Sequence, residues 1–168
     1  AKTLGFAVLY GAGVGKIAES LYTSIDAATQ IKAKYLAALP EIKALQNEVQ
    51  YRGRSNQPIS TLGGRQYYVE TAKIMGGRLR TFEYKLTNYL IQGSAADQTK
   101  AAMLAYCQRT KHGRLTFSVH DQLVVQCKPE HVAEESKLLE ECMVGAFADI
   151  LDCPMIADVE VGNNFSEV

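Results

Sequence analysis

Two short apolar runs, separated by only three residues, constrain the fold of this chain more than any other feature. The runs "LTFSV" (115–119) and "LVVQC" (123–127) are rich in β-branched and aromatic side chains, and "HDQ" lies between them. So short a connection is typical of a tight antiparallel hairpin. The sequence therefore predicts two paired strands with Asp121 displayed at their tip.

Much of the remaining chain has the apolar periodicity of amphipathic helices. Helices are predicted over residues 2–10, 17–39, 81–110 and 130–151, and from Pro40 to about residue 50. "GAGVG" at 11–15 is expected to break the first helix, and the second could be in two pieces. The helix that begins at Pro40 is predicted to bury Ile42, Leu45 and Val49.

Two further stretches have the composition of strands. "ISTLGGRQYYV" predicts a short hairpin with Gly63 and Gly64 at its turn, and "MIADVEVG" predicts a final strand near the C-terminus. Helices that alternate with hairpins in this order indicate an α+β fold with an antiparallel sheet.

Length and composition exclude several classes of protein. A chain of 168 residues suits one domain or two small lobes. It has no run of about 20 apolar residues that could span a membrane and no signal-peptide pattern, which favours a cytoplasmic protein. The four cysteines form no CxxC pair, and no histidine lies at zinc-ligand spacing, so the cysteines are expected to be reduced and mostly buried.

The net charge of zero hides a strong division along the chain. Residues 1–111 carry 15 basic and 7 acidic side chains, whereas residues 112–168 carry 3 basic and 11 acidic ones. A basic part can bind a polyanion and an acidic part can attract divalent cations. A dipolar surface without function is the alternative.

Lys2, Phe6 and Tyr10 follow one another at intervals of four residues. Side chains at this spacing lie about 40° apart around a helix, so a cation and two aromatic rings share one stripe. The alternative is that the rings belong to the core and the lysine is solvated.

"GAGVGK" resembles a phosphate-binding loop only superficially. Three residues rather than four separate Gly11 from Gly15, and Ile17 follows Lys16 where a hydroxyl residue should ligate magnesium. The element before these glycines is also predicted to be a helix and not a strand. The loop therefore does not indicate a nucleotide hydrolase.

Asp121 has the chemistry and the position of a metal ligand. An ionised carboxylate in a turn between two apolar strands is held rigidly and kept out of the core. Magnesium prefers such carboxylate oxygens together with water and substrate phosphates. Ordinary turn chemistry of aspartate is the alternative.

Three blocks in order, "KTLGFAVLYG", "NYLIQGSAAD" and "SVHDQLVV", resemble the polymerase domain of family A DNA polymerases. The first resembles the fingers helix of motif B, and the last resembles the palm hairpin of motif C. The similarity continues through "LPEIKALQNEV", "TLGGRQYYV" and "VEVG", so it covers essentially the whole chain. The resemblance implies a helical fingers portion over residues 1–57 and an antiparallel-sheet palm portion over residues 58–168.

The family resemblance implies a role for the stripe on the first helix and for the hairpin tip. Lys2 would neutralise the triphosphate of the incoming deoxynucleotide, Phe6 would pack against its sugar and base, and Tyr10 would guard the insertion site. Asp121 would hold catalytic Mg2+ and His120 would lie near the primer end.

Further DNA contacts are implied at four positions. Asn88 and Gln92, four residues apart, would touch the new base pair from the minor groove, where shape is checked without reading sequence. Arg65 would bind the DNA backbone or minor groove, and Gln122 is assigned to the same DNA-binding set. Gln122 also departs from the family, because an acid usually follows the aspartate of motif C. Tyr84 likewise stands where many relatives have arginine.

The chain begins inside motif B, so the motif A aspartate is expected to lie in a separate upstream portion. The resemblance therefore implies a C-terminal fragment or split subunit of a DNA-directed DNA polymerase of replication or repair. Its partners would be primer-template DNA, deoxynucleoside triphosphates and that upstream portion, in the cytoplasm of a bacterium or an infected host. Two Mg2+ ions would serve nucleotidyl transfer, and this chain alone is expected to be inactive. A non-catalytic DNA-binding remnant is the alternative.

Overall fold

The computed structural model describes the backbone of residues 2–167 and the side chains of residues 3–167. The chain divides into two compact units, Ala1–Gly93 and Ser94–Val168. The expected fingers–palm boundary after residue 57 lies within the first unit, and that functional division stays a prediction.

The first unit begins with four helices, α1 (Lys2–Leu9), α2 (Val14–Ser20), α3 (Ile25–Ala38) and α4 (Pro40–Arg54). The Ser24 side chain caps α3 by accepting a hydrogen bond from the Ala27 amide at 3.2 Å, and Pro40 occupies the first turn of α4. Val8, Ile17 and Ala28 are fully buried where these helices pack. The predicted helices are confirmed, with a break between α2 and α3.

Two hairpins follow α4 in the first unit. Strands β1 (Ile59–Ser60) and β2 (Gln66–Tyr67) form the predicted antiparallel pair around the glycine turn. Strands β3 (Lys73–Met75) and β4 (Arg78–Arg80) form a second pair that was not predicted from the sequence. Gly76 and Gly77 connect them with φ angles of 59° and 73°, as a primed hairpin turn requires.

Helix α5 (Lys85–Arg109) begins in the first unit and ends in the second, where strands β5 (Arg114–Val119) and β6 (Gln122–Gln126) follow. These two strands form the predicted hairpin, and Thr116 is an extra residue in β5 that produces a bulge. A 3-10 turn, Pro129–His131, leads into α6 (Val132–Gly145). Ala102, Leu123 and Ala146 form the buried centre of this unit.

The predicted strand in "MIADVEVG" is wrong, because residues 155–162 adopt neither helix nor strand. Ile156 is 84% exposed and Val161 is 61% exposed. A strand requires a neighbour that completes its backbone hydrogen bonds, and β5 and β6 pair only with each other among the described residues. The three strand pairs are likewise three separate two-stranded sheets and not one sheet.

Two other features differ from expectation. Helix α6 ends at Gly145, earlier than predicted, and Phe147 has a φ of 59°, which is incompatible with a continuing helix. Cys142 is buried, but Cys107 and Cys153 are exposed, so the expectation of mostly buried cysteines is wrong. Over the part of the chain that the structure describes, every helix is too short or too polar to cross a lipid bilayer.

Candidate nucleotide, DNA and metal site

Helix α1 presents two aromatic side chains together on one face. The rings of Phe6 and Tyr10 stack with centroids 5.8 Å apart and an interplanar angle of 18°. Phe6 is 46% exposed, whereas Val8 on the same helix is fully buried. The core of this helix is therefore built without Phe6, which leaves its ring accessible to a ligand. The Lys2 side chain lies outside the described residues.

The glycine after α1 ends the helix in a defined geometry. Gly11 has a φ of 75°, and the Ala12 amide donates to the Ala7 carbonyl at 2.8 Å. The Gly11 amide donates to the Val8 carbonyl at 3.1 Å. This pair of bonds with a left-handed glycine is a Schellman motif, which terminates helices. A helix therefore precedes the glycines, as predicted, and a phosphate-loop interpretation has no structural support.

A buried glutamine donates to two carbonyls at this helix end. Gln46 on α4 is 9% exposed, and its amide nitrogen donates to the Val8 carbonyl at 2.7 Å and to the Leu9 carbonyl at 3.2 Å. Terminal carbonyls have no partner within their own helix, so this bond joins α4 to the end of α1. The backbone at Tyr10 is thereby held both by the Schellman motif and by Gln46.

The β1–β2 hairpin packs closely on α5 beside Gln92. A Cβ atom at Gly93 would lie 2.7 Å from Thr61 Cγ2 and 3.1 Å from Tyr67 Cε2, so only glycine permits this approach. Arg65 is exposed near the hairpin turn, and its guanidinium donates to the Tyr67 hydroxyl at 3.4 Å. Gln92 is also exposed. Tyr67 thus contacts both the predicted DNA-binding arginine and the turn of α5 that carries the predicted glutamine.

Asn88 lies one turn before Gln92 and is half-buried. Its side-chain oxygen, like the hydroxyl of Thr87, is buried without a hydrogen-bond partner among the described residues. Buried polar atoms are normally paired, so these two oxygens are exceptions among the described residues. The role of Asn88 in contacting DNA stays a prediction.

Glu70, Lys85 and Tyr89 form an ionic cluster at the start of α5. Lys85 Nζ lies 2.9 Å from both carboxylate oxygens of Glu70, and the Tyr89 hydroxyl also donates to Glu70. The hydrogen bond from Lys85, followed by that from Tyr89, lowers the pKa of Glu70. The bond to Glu70 raises the pKa of Lys85. The cluster is thus charged at neutral pH and anchors the helix that carries Asn88.

The β3–β4 hairpin carries exposed cationic side chains. Lys73 pairs directly with Arg80, and Met75 with Arg78, so three cations share one face. Every residue from 71 to 81 is exposed. Like charges placed opposite each other destabilise a strand pair, so this face is suited to an anionic partner. The glycine pair between two short runs is the sequence signal that identifies the hairpin.

Asp121 occupies the turn between β5 and β6. Val119 pairs with Gln122 as the last cross-strand pair, so His120 and Asp121 alone form a two-residue turn. His120 has a φ of 53°, a left-handed conformation that is uncommon outside glycine and is adopted more often by asparagine, aspartate and histidine than by other residues. His120, Asp121 and Gln122 are all exposed. The structure thus places the carboxylate at the hairpin tip, where it is open to a cation.

The predicted site residues fall into two groups. Phe6, Tyr10, Arg65, Asn88 and Gln92 belong to the first unit, and residues 120–122 belong to the second. Within the described side chains, Asp121 shares no cluster of three metal-ligating groups. The Asp121 carboxylate offers the oxygen ligands that magnesium prefers, but it is only one of the groups that a magnesium site requires. The other ligands would have to come from substrate, water or another chain.

Comparison with known proteins agrees with the motifs. The profile of DNA polymerase family A matches residues 1–167. DNA polymerase I of Chloroflexus aurantiacus is 31% identical over 172 residues, which are 100% of this chain and 18% of that protein. The thermostable DNA polymerase I of Thermus filiformis is 33% identical over 174 residues, which are 99% of this chain and 20% of that protein. DNA polymerase theta of Caenorhabditis elegans is 29% identical over 99% of this chain and 10% of its own length.

A solved structure has the same fold. The POL domain of Pol1 from M. smegmatis, in complex with DNA primer-template and dNTP, matches with a TM-score of 0.79 and 26% identity. The match covers 91% of this chain and 28% of that one. The α+β fold and the order of the three sequence blocks define the class of this protein as a polymerase domain. The chain belongs to DNA polymerase family A. It spans between a tenth and a fifth of the length of the curated relatives named above.

Proposed function

We propose that this chain supplies the nucleotide-binding helix and one metal-binding carboxylate of a DNA-directed DNA polymerase. The match of the family A profile to residues 1–167 carries the proposal, because it includes both α1 and the β5–β6 hairpin. The reaction is attack of a primer 3′-hydroxyl on the α-phosphate of a deoxynucleoside triphosphate, with release of pyrophosphate. The structural neighbour in complex with primer-template and dNTP supports both kinds of partner.

Helix α1 would contact the incoming nucleotide. The stacked and partly exposed rings of Phe6 and Tyr10 offer flat surfaces for a sugar and a base. Lys2, one turn before Phe6, would place an ammonium group against the triphosphate. Gln46 and the Schellman motif hold the helix end, so the rings are preorganised on a rigid element.

Helix α5 and the hairpin beside it would contact the nascent duplex. Asn88 and Gln92 each carry a side-chain amide with N–H donors, which suit the acceptor groups that correct base pairs share in the minor groove. Arg65 would contact the DNA backbone or minor groove. Contacts of this kind detect the shape of a base pair and not its sequence, as a template-directed enzyme requires.

The β5–β6 hairpin would hold catalytic metal through Asp121. Magnesium, when bound, supplies positive charge that stabilises the attacking and leaving oxygens. His120 would lie near the primer end and Gln122 would contact DNA. A second carboxylate is required because two cations need more ligands than one aspartate provides. We propose that an upstream polypeptide with motif A supplies it, in a bacterial or phage-infected cytoplasm.

Gln122 favours a second candidate function, a DNA-binding remnant without catalysis. Glutamine at this position lacks the negative charge that an acid would place next to the metal ligand. Catalysis by the assembled protein distinguishes the two functions.

Primer extension with a separately made motif A fragment tests the proposal. The chain alone should be inactive, and the mixture should extend the primer in the presence of Mg2+. Asp121→Ala in the mixture should abolish extension, whereas Asp152→Ala, which removes another exposed carboxylate of the same unit, should not. Extension by the chain alone would contradict the need for a second polypeptide. Extension that survives Asp121→Ala would contradict the metal role, and an inactive mixture that still binds DNA would favour the remnant.

A further inference from the structure

Two histidines from separate segments of the second unit stack face to face. His112 lies in the loop between α5 and β5, and His131 ends the 3-10 turn before α6. Their ring centroids are 3.8 Å apart, with an interplanar angle of 6°. Glu134, in the first turn of α6, completes a group whose ligand atoms all lie within 4.8 Å of one another.

A buried carboxylate holds the loop of His112 against α6. Glu135 is 3% exposed and accepts hydrogen bonds from the Thr110 hydroxyl at 2.7 Å and from the His112 amide at 3.0 Å. The loop that carries His112 is therefore tied to α6 at the residue next to Glu134. The Glu130 carboxylate lies 4.0 Å from His131 Nε2, beyond hydrogen-bond distance.

We propose that His112, His131 and Glu134 bind a divalent transition-metal ion, with Zn2+ as the best fit. Two imidazoles and one carboxylate form a known type of zinc ligand set, and a tetrahedral ion leaves the fourth position to water. Zn–ligand bonds of about 2.0–2.1 Å place neighbouring donor atoms roughly 3.4 Å apart. Donors within 4.8 Å reach that separation by side-chain rotation, which also turns the stacked rings out of parallel.

This site differs in chemistry from the one proposed at Asp121. Imidazole nitrogens favour zinc, copper and nickel, whereas magnesium prefers oxygen ligands and retains its water. The ion would join the loop after α5 to the start of α6, which are already linked through Glu135. Its role would therefore be to stabilise the second unit and not to take part in nucleotidyl transfer.

Calorimetric titration of the full chain with Zn2+ tests the site, with Co2+ as an optical probe of tetrahedral coordination. His112→Ala and His131→Ala should each weaken binding more than tenfold, because even outer-shell partners are worth about 10–100-fold. His120→Ala removes the third histidine of the chain and should leave the affinity unchanged. Glu134→Gln should weaken binding, whereas Glu140→Gln, an exposed position on the same helix, should not.

Further controls separate a local site from unfolding and from other ligands. Far-UV circular dichroism of each metal-free variant should match that of the wild-type chain. Thermal stability should rise with Zn2+ in the wild-type chain and in His120→Ala but not in His112→Ala, and excess Mg2+ should not displace the ion. Binding that persists in His112→Ala, as cysteine ligands would produce, or the absence of binding at millimolar Zn2+, would overturn the proposal. These readouts need no polymerase activity.

Discussion

Replacement of Gly113 by alanine should destabilise the second unit strongly, because no space exists for one methyl group. A Cβ atom there would lie 1.8 Å from the Tyr106 hydroxyl oxygen and 2.6 Å from Glu135 Oε2. Tyr106 is fully buried, and its hydroxyl donates to Glu135 at 2.5 Å. Burial, followed by this hydrogen bond, raises the pKa of Tyr106. The two groups nearest the new methyl are thus buried and bound to each other.

The magnitude follows from the displacement that the methyl group demands. An ordinary contact of 3.4 Å requires the Tyr106 oxygen to move by about 1.6 Å, which breaks its bond to Glu135. Overpacking a well-packed interior costs about 1–3 kcal/mol. Losing a hydrogen bond to a charged group costs about 1.5–3 kcal/mol. We therefore expect Gly113→Ala to lower the free energy of unfolding by about 3–5 kcal/mol.

Urea unfolding followed by far-UV circular dichroism measures this change. Gly145→Ala is the matched control, since a Cβ atom there meets nothing within 4 Å and alanine favours the helix. Tyr106→Phe removes the hydroxyl oxygen that the new methyl group crowds most. The double variant Gly113→Ala/Tyr106→Phe should therefore have a free energy of unfolding at least about 1 kcal/mol higher than the sum of the two single effects predicts. If Gly113→Ala changes the unfolding free energy by less than 0.5 kcal/mol, the crowding inferred at this loop is wrong.

Three further predictions concern other parts of the chain. Gln46→Ala should lower the unfolding free energy by about 1–3 kcal/mol, measured in urea, because the Leu9 carbonyl loses the Gln46 donor and the Val8 carbonyl keeps only the Gly11 amide. Phe6→Tyr in the assembled polymerase should increase dideoxynucleotide incorporation in primer-extension assays, because a phenolic hydroxyl can occupy the place of the missing 3′-hydroxyl; an unchanged ratio would argue against sugar contact. Cys142 is 2% exposed and burial raises its pKa, so mass spectrometry should show it alkylated on the order of 100-fold more slowly than exposed Cys107 and Cys153. Equal rates at the three thiols would contradict the packing of α6.

Local signals in the sequence predicted many of the elements correctly. Pro40 marks a helix start through its fixed φ, and the short "HDQ" connection admits few structures besides a tight hairpin. The display of Asp121 followed directly from that hairpin. Features that depend on a few neighbouring residues can thus be predicted from the sequence without knowledge of tertiary contacts.

Features that depend on distant partners were not predictable in this way. Leu45 was expected in the buried stripe of α4, but it is 38% exposed and Gln46 is buried, because its amide satisfies carbonyls of α1. The strand in "MIADVEVG" had the right composition but has no partner among the described strands. His112 and His131 are far apart in sequence, so spacing rules for metal ligands could not reveal their contact.

The bulge in β5 makes the position of Asp121 tolerant to a change in strand length. Leu115 pairs with Val125 and Phe117 pairs with Val124, so Thr116 has no partner residue in β6. Deletion of Thr116 would preserve every other cross-strand pair between the bulge and the turn, although the bond from its hydroxyl to the Val124 carbonyl at 2.8 Å would be lost. Removal of this one residue should therefore leave Asp121 at the same place in the turn between β5 and β6.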